Sequence, residues 1–111
     1  MEITTRTIGK CKILDCNRFN IFTDSVPLRE AIHEAVLDDT SKVILNLGKV
    51  NYLDSAVLGA IISSYEHLKN KGGKLVLLNL NPQARELLAI TRLTAFFEIF
   101  DDEKKALESC E

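Results

Sequence analysis

The stretch Val43-Ile44-Leu45-Asn46-Leu47-Gly48-Lys49-Val50-Asn51-Tyr52-Leu53-Asp54-Ser55-Ala56-Val57-Leu58-Gly59-Ala60-Ile61-Ile62 decides how the chain reads. Val43 to Leu47 is apolar on both faces except at Asn46, the pattern of a strand covered on both sides. A short connection follows. Asp54-Ser55 then opens a helix whose core side carries Leu58, Ile61, Ile62, Tyr65 and Leu68. Gly59, Ala60, Ser63 and Ser64 are small, which predicts close approach of this helix to the sheet. Ser55 falls at the mouth of a helix just past a central strand, the place where ligands and chemistry gather in open α/β sheets.

Toward the C-terminus, Lys69 to Lys71 put positive charge at the end of the helix and Gly72-Gly73 stop it. Leu75 to Leu80 reads as another fully buried strand. Asn81-Pro82 opens a helix with Ala84, Leu87, Leu88 and Thr91 on one side. Thr94 to Phe100 is apolar and aromatic enough to predict a last strand. Asp101-Asp102 can cap a final helix through Ala106 and Leu107, with a frayed tail expected at 108–111.

Toward the N-terminus, Leu28, Ala31, Ile32, Ala35 and Val36 form a helical stripe that Asp24 or Ser25 can cap. His33 falls on the opposite face with Glu30 and Glu34, which predicts a solvated residue. Asn17 to Asp24 is a loop carrying Phe19 and Phe22. Before it, Glu2 to Thr7 and Cys11 to Cys16 make a hairpin around Gly9-Lys10. The order β-β-α-β-α-β-α-β-α predicts one α/β domain over 1–111. Its sheet would be mixed, with four to five strands and about four helices.

The 111 residues suffice for one core, with 46% apolar and 27% charged residues. A formal charge of -2 offers no electrostatic footprint for nucleic acid. No apolar run is long enough to cross a bilayer, and Met1 to Arg6 lacks the layout of a signal peptide. A cytoplasmic protein with no membrane contact is the expectation. Cys11 and Cys16 lie five apart on one strand and so face opposite ways, which prevents them from pairing. Three cysteines, with His33 and His67 on separate helices, predict buried free thiols and no metal site.

A serine nucleophile needs a base within hydrogen-bond reach and is usually framed as Gly-x-Ser-x-Gly. Leu53-Asp54-Ser55-Ala56-Val57 has neither glycine. His67 lies about 18 Å along the same helix, too far to act on Ser55. No glycine loop precedes a helix to cradle a phosphate, so neither an enzyme nor a cofactor is expected. What Ser55 offers is a hydroxyl at an electropositive helix start, where a phosphate could sit. From spacing alone, a plain helix cap at Asp54 or Ser55 is the competing explanation.

From Lys42 to Leu107 the chain resembles the STAS family, and within it the stand-alone bacterial anti-sigma factor antagonists. The resemblance rests on Val43 to Leu47, on Val50-x-Tyr52-Leu53-Asp54-Ser55-Ala56-x-Leu58-Gly59, on Gly73-Lys74-Leu75, and on Pro82, Leu93, Phe96 and Ile99-Phe100. It implies a protein that binds an anti-sigma factor serine kinase and so frees a sigma factor. That kinase would phosphorylate Ser55 and end binding, and a metal-dependent serine phosphatase would restore it. The contact surface it implies comprises Tyr52, Asp54, Ser55, Ala56, Val57, Leu58 and Gly59, with Asn17, Phe19, Asn20 and Thr23 from the preceding loop. Two departures stand out. Many relatives carry Ser-Gly after the motif serine where this chain has Ala56-Val57, so Val57 would present an apolar side chain to the partner. The loop pattern Gly-x-(Leu/Ile)-Asp is replaced by Asn17-Arg18-Phe19-Asn20. These changes keep open a scaffold or small-ligand module that works without phosphorylation.

Overall fold

A computed structural model describes residues 2–17, 25–35, 42–50 and 52–110. Strands β1 (Glu2–Ile8) and β2 (Cys11–Asn17) form the hairpin, followed by α1 (Ser25–Ala35) and β3 (Lys42–Asn46). Next come α2 (Ser55–Asn70), β4 (Lys74–Leu78), α3 (Pro82–Ile90), β5 (Glu98–Phe100) and α4 (Glu103–Ser109). The strands lie in the sheet in chain order, β1-β2-β3-β4-β5. β1 and β2 are antiparallel, and every later pair is parallel.

That monotonic order has a geometric consequence. Right-handed crossovers that all step the same way across a sheet place their helices on one face. One buried cluster accordingly joins Leu28 and Ile32 of α1, Val57, Ile61 and Leu68 of α2 and Leu88 of α3 to Leu14, Val43, Leu45, Leu75 and Leu77 of the sheet. The other face is covered by α4, where Ala106 and Cys110 pack on Cys11, Ile13, Ile44, Val76 and Leu78. Cys11 and Cys16 do face opposite ways, one in each cluster.

Local chemistry sets the ends. Gly72 at φ +76° closes α2, with the Gly73 N–H on the Leu68 carbonyl at 2.7 Å. Asn81 caps α3 through the Ala84 N–H at 2.8 Å, and Asp102 caps α4 through the Lys104 N–H at 2.9 Å.

Four expectations need correction. The last strand is three residues long, not Thr94 to Phe100, because Arg92 at φ +60° ends α3 and the chain turns again, Phe96 N–H to Leu93 carbonyl, before reaching β4. The tail is not frayed through Cys110. α4 runs to Ser109, Cys110 is buried, and Lys74 and Lys42 hold the Ser109 and Cys110 carbonyls at 2.9 and 2.5 Å. Gly59 does not face the sheet. It is exposed, with open space where a Cβ would sit, whereas Ala60 and Ser64 are the buried small residues. His33 is not simply solvated, because its ring stacks on His67, centroids 4.4 Å apart. Asp24, Phe22 and Val36 lie outside the described residues.

Candidate functional site

The connection from β3 to α2 emerges at the carboxyl edge of the parallel strands. Asp54 is in extended backbone, and its Oδ1 accepts the Val57 N–H at 2.8 Å while its carbonyl takes the Leu58 N–H at 2.9 Å. Asp54 is therefore the N-cap, and Ser55, the first helical residue, is left exposed. The electropositive helix end already holds one carboxylate, so a further anion on Ser55 would meet the charge of Asp54.

The turn before Ser55 hangs from α3. Gln83 donates from Nε2 to the Leu53 carbonyl at 3.0 Å and accepts the Leu53 N–H on Oε1 at 2.9 Å. Asn81, while capping α3, donates from Nδ2 to the Val50 carbonyl at 2.8 Å. Leu53 and Val50 are buried beneath, leaving Tyr52 half exposed above them. Nothing in the local sequence announces these bonds. An Asn-Pro-Gln run reads as a helix start, and its second use appears only when two chain segments thirty residues apart meet.

On the α4 side of the same edge, Asp15 accepts from Arg6 Nε at 2.6 Å and from Asn46 Nδ2 at 2.7 Å. Asn46 Oδ1 takes the Gly48 N–H at 3.1 Å and Asn79 Nδ2 at 3.3 Å, which explains the polar residue at the end of β3. Arg6 also reaches Glu103 of α4 at 2.5 Å. Burial works to raise the Asp15 carboxyl, but the bonds from Arg6 and Asn46 outweigh it and hold it below the usual carboxylate range. A shallow polar recess of about 250 Å³ lies here, lined by Thr4, Asp15, Cys16, Asn17, Asn46 and Lys49.

The expected contact residues separate sharply. Tyr52, Ser55, Ala56 and Gly59 are exposed and Asp54 is partly so. Val57 and Leu58 are buried, at 0% and 5% exposure, so the expectation that Val57 offers a side chain to a partner is corrected. Facing the core at the first turn of α2, it can act only by packing. Asn17 ends β2 at the same edge, whereas Phe19, Asn20 and Thr23 lie outside the described residues. His67, stacked on His33, is twelve residues along α2 from Ser55, about 18 Å at the helical rise. Among the described residues no group of three or more His, Cys, Asp or Glu side chains could hold a metal ion. Nor is any described helix long and apolar enough to cross a membrane.

Comparison with known proteins gives this geometry a context. The anti-sigma F factor antagonist of Paenibacillus polymyxa is 32% identical over 69 residues, covering 62% of this chain. The match spans 59% of that relative's length. An anti-sigma factor antagonist from Mycobacterium paratuberculosis is similar in structure, with TM-score 0.86 at 19% identity, covering 98% of this chain and 92% of that one. The Bacillus cell fate determinant SpoIIAA in its phosphorylated form gives TM-score 0.78 at 16% identity, covering 99% and 100%. These two likenesses establish the fold. Residues 2–106 match the STAS domain over nearly the whole chain, and with the alternating elements, five-stranded mixed sheet and Asp54-Ser55 junction in place, the protein belongs to the STAS family.

Proposed function

We propose that this protein is an anti-sigma factor antagonist switched by phosphorylation of Ser55. The observation that carries the reading is the exposed hydroxyl of Ser55 at the first turn of α2, beside a carboxylate already committed as N-cap and remote from both histidines. An exposed serine with neither histidine near it is placed to be acted upon. The described strands run across the sheet in chain order, without the reversal at which open α/β sheets place small ligands. A protein partner suits the exposed edge formed by Tyr52, Ser55, Ala56 and Gly59 with the partly exposed Asp54.

In this reading the unmodified protein binds a kinase-type anti-sigma factor in the cytoplasm, and the sigma factor is released. The kinase holds the ATP. Phosphate on Ser55 adds about -1.5 to -2 charges against Asp54 and desolvates poorly at an interface. A loss of about 3 kcal/mol in binding is more than a hundredfold in affinity, enough for a switch. A serine phosphatase resets it. The similarity to an anti-sigma F factor antagonist, and the existence of a phosphorylated form of SpoIIAA on the same fold, support the reading.

The test is incubation with a kinase-type anti-sigma factor and ATP, with the site mapped by mass spectrometry. Phosphate is expected on Ser55 and absent from Ser55→Ala. Phosphorylation elsewhere, or undiminished incorporation in Ser55→Ala, would overturn the proposal. Ser55→Asp should lose anti-sigma binding. The scaffold alternative predicts that Ser55→Asp binds its partner as well as the unmodified chain does.

A further inference from the structure

Exposure makes Ser55 reachable, but phosphoryl transfer also requires its Oγ to be held in line with the donor phosphate. As the reaction proceeds, Oγ forms a bond to the γ-phosphorus of ATP and the bond from that phosphorus to the β,γ-bridging oxygen breaks. ADP leaves, and the hydroxyl proton passes to a base of the kinase. The acceptor contributes only position, and a misplacement of about 1 Å can cost a hundredfold in rate.

Position at Ser55 depends on the connection before it, whose described residues Val50, Tyr52, Leu53 and Asp54 lie outside the helices and strands. Asp54 fixes the helix side of it. The strand side, at Leu53, is fixed through both of its backbone polar groups by one side chain, the Gln83 amide, at 2.9 and 3.0 Å. Such two-point capture sets the rotation of a peptide segment as well as its distance, as a strand neighbour would. Asn81 adds a third tether at Val50. Both residues belong to the start of α3, whose Leu88 and Ala84 lock it to the sheet. The anchor is therefore packed on the core, and its bonds go to Leu53, two residues before the acceptor.

We infer that Gln83 is a positioning residue for Ser55, holding the acceptor turn in the orientation that phosphoryl transfer needs. The inference rests on the phosphorylation reading above and extends it to a residue outside the Asp54-Ser55 motif. It also gives α3 a function beyond covering the sheet. A partner that displaced Gln83 would change how well Ser55 is phosphorylated without covering Ser55 itself.

The experiment compares the full-length chain with Gln83→Leu and Gln83→Glu. Glutamate keeps the acceptor for the Leu53 N–H and loses the donor to its carbonyl. With a kinase-type anti-sigma factor and ATP, Gln83→Leu is expected to lower kcat about tenfold or more with KM within about twofold, and Gln83→Glu to fall between. Hydrogen exchange supplies a readout independent of the kinase. The Leu53 amide should exchange at least about tenfold faster in Gln83→Leu, with the β3 and β4 amides unchanged. Wild-type kcat in Gln83→Leu, a change in KM alone, or loss of protection throughout the sheet would overturn the positioning role. A wild-type chain that takes no phosphate on Ser55 would instead overturn the reading beneath it, and the role with it.

Discussion

His33 of α1 and His67 of α2 lie face to face across the helix pair, centroids 4.4 Å apart and planes inclined by 18°. Desolvation lowers the His67 pKa, and His33 and Lys71 lower it further. Glu30, Glu34 and Arg29 flank His33 on α1. A histidine with a depressed folded-state value binds fewer protons folded than unfolded. Its contribution to stability is intact above the ordinary value of 6.5 and is lost as pH falls through the folded value. Urea denaturation between pH 7.5 and 5 should show falling stability below that point. His67→Phe, which keeps a ring in the stack, should flatten the slope.

Ser64 is fully buried in α2, and its Oγ has no hydrogen-bond partner. It lies one turn from His67 and one turn from Ala60, on the side of α2 that faces α1. Its value there is size and not polarity. Ser64→Ala should be neutral or stabilising by up to about 1 kcal/mol, since an unsatisfied buried hydroxyl is removed. Ser64→Leu should destabilise by about 1–3 kcal/mol through overpacking. Equilibrium urea curves measure both.

Arg92 occupies a left-handed position, φ +60°, that closes α3 with the Leu93 N–H on the Leu88 carbonyl at 2.8 Å. Glycine is usual there because an L side chain crowds its own carbonyl. Arg92→Gly should raise stability by about 1 kcal/mol, readable as a small increase in Tm.

Asp54 caps α2 through Val57. Asp54→Ala should cost about 1 kcal/mol, and Asp54→Asn should recover most of it, since the amide oxygen can still accept. Faster amide exchange confined to the first turn of α2 would accompany the loss.

Burial, with Asp15 adding to it, pushes the Cys16 thiol up to about 12. Thiolate is the reactive form, so alkylation of Cys16 in the native protein at pH 8 should be slow and become rapid in denaturant. Peptide mapping after timed iodoacetamide treatment measures it.

Much of this architecture is legible in the chain because short-range patterns carry it. The double-faced apolarity of Val43 to Leu45 and Leu75 to Leu78 marks central parallel strands, and these are buried on both faces. Asn81-Pro82, Asp102 and Gly72 act as helix punctuation through bonds that reach no further than about a turn. The Asp54-Ser55 junction is visible for the same reason. The boundary after α3 is not legible because Thr94 to Phe100 has strand composition, whereas its ladder is limited by the partner register, Val76 to Leu78.

The sequence by itself determined the alternation of elements, the helix ends and the place of Ser55 at a strand-to-helix junction, since each depends on neighbours within a few residues. The core side of α2 through Leu58, Ile61 and Leu68 was legible too, but the exact width of its buried stripe was not. Val57 went inward and Gly59 outward because the sheet and α1 chose the buried stripe. The histidine stack, the Arg6-Asp15-Asn46 chain and the grip of Gln83 on Leu53 join residues far apart in sequence. Only the assembled sheet brings those groups within hydrogen-bond or ring contact, so only the tertiary structure decided how the turn carrying Ser55 is held.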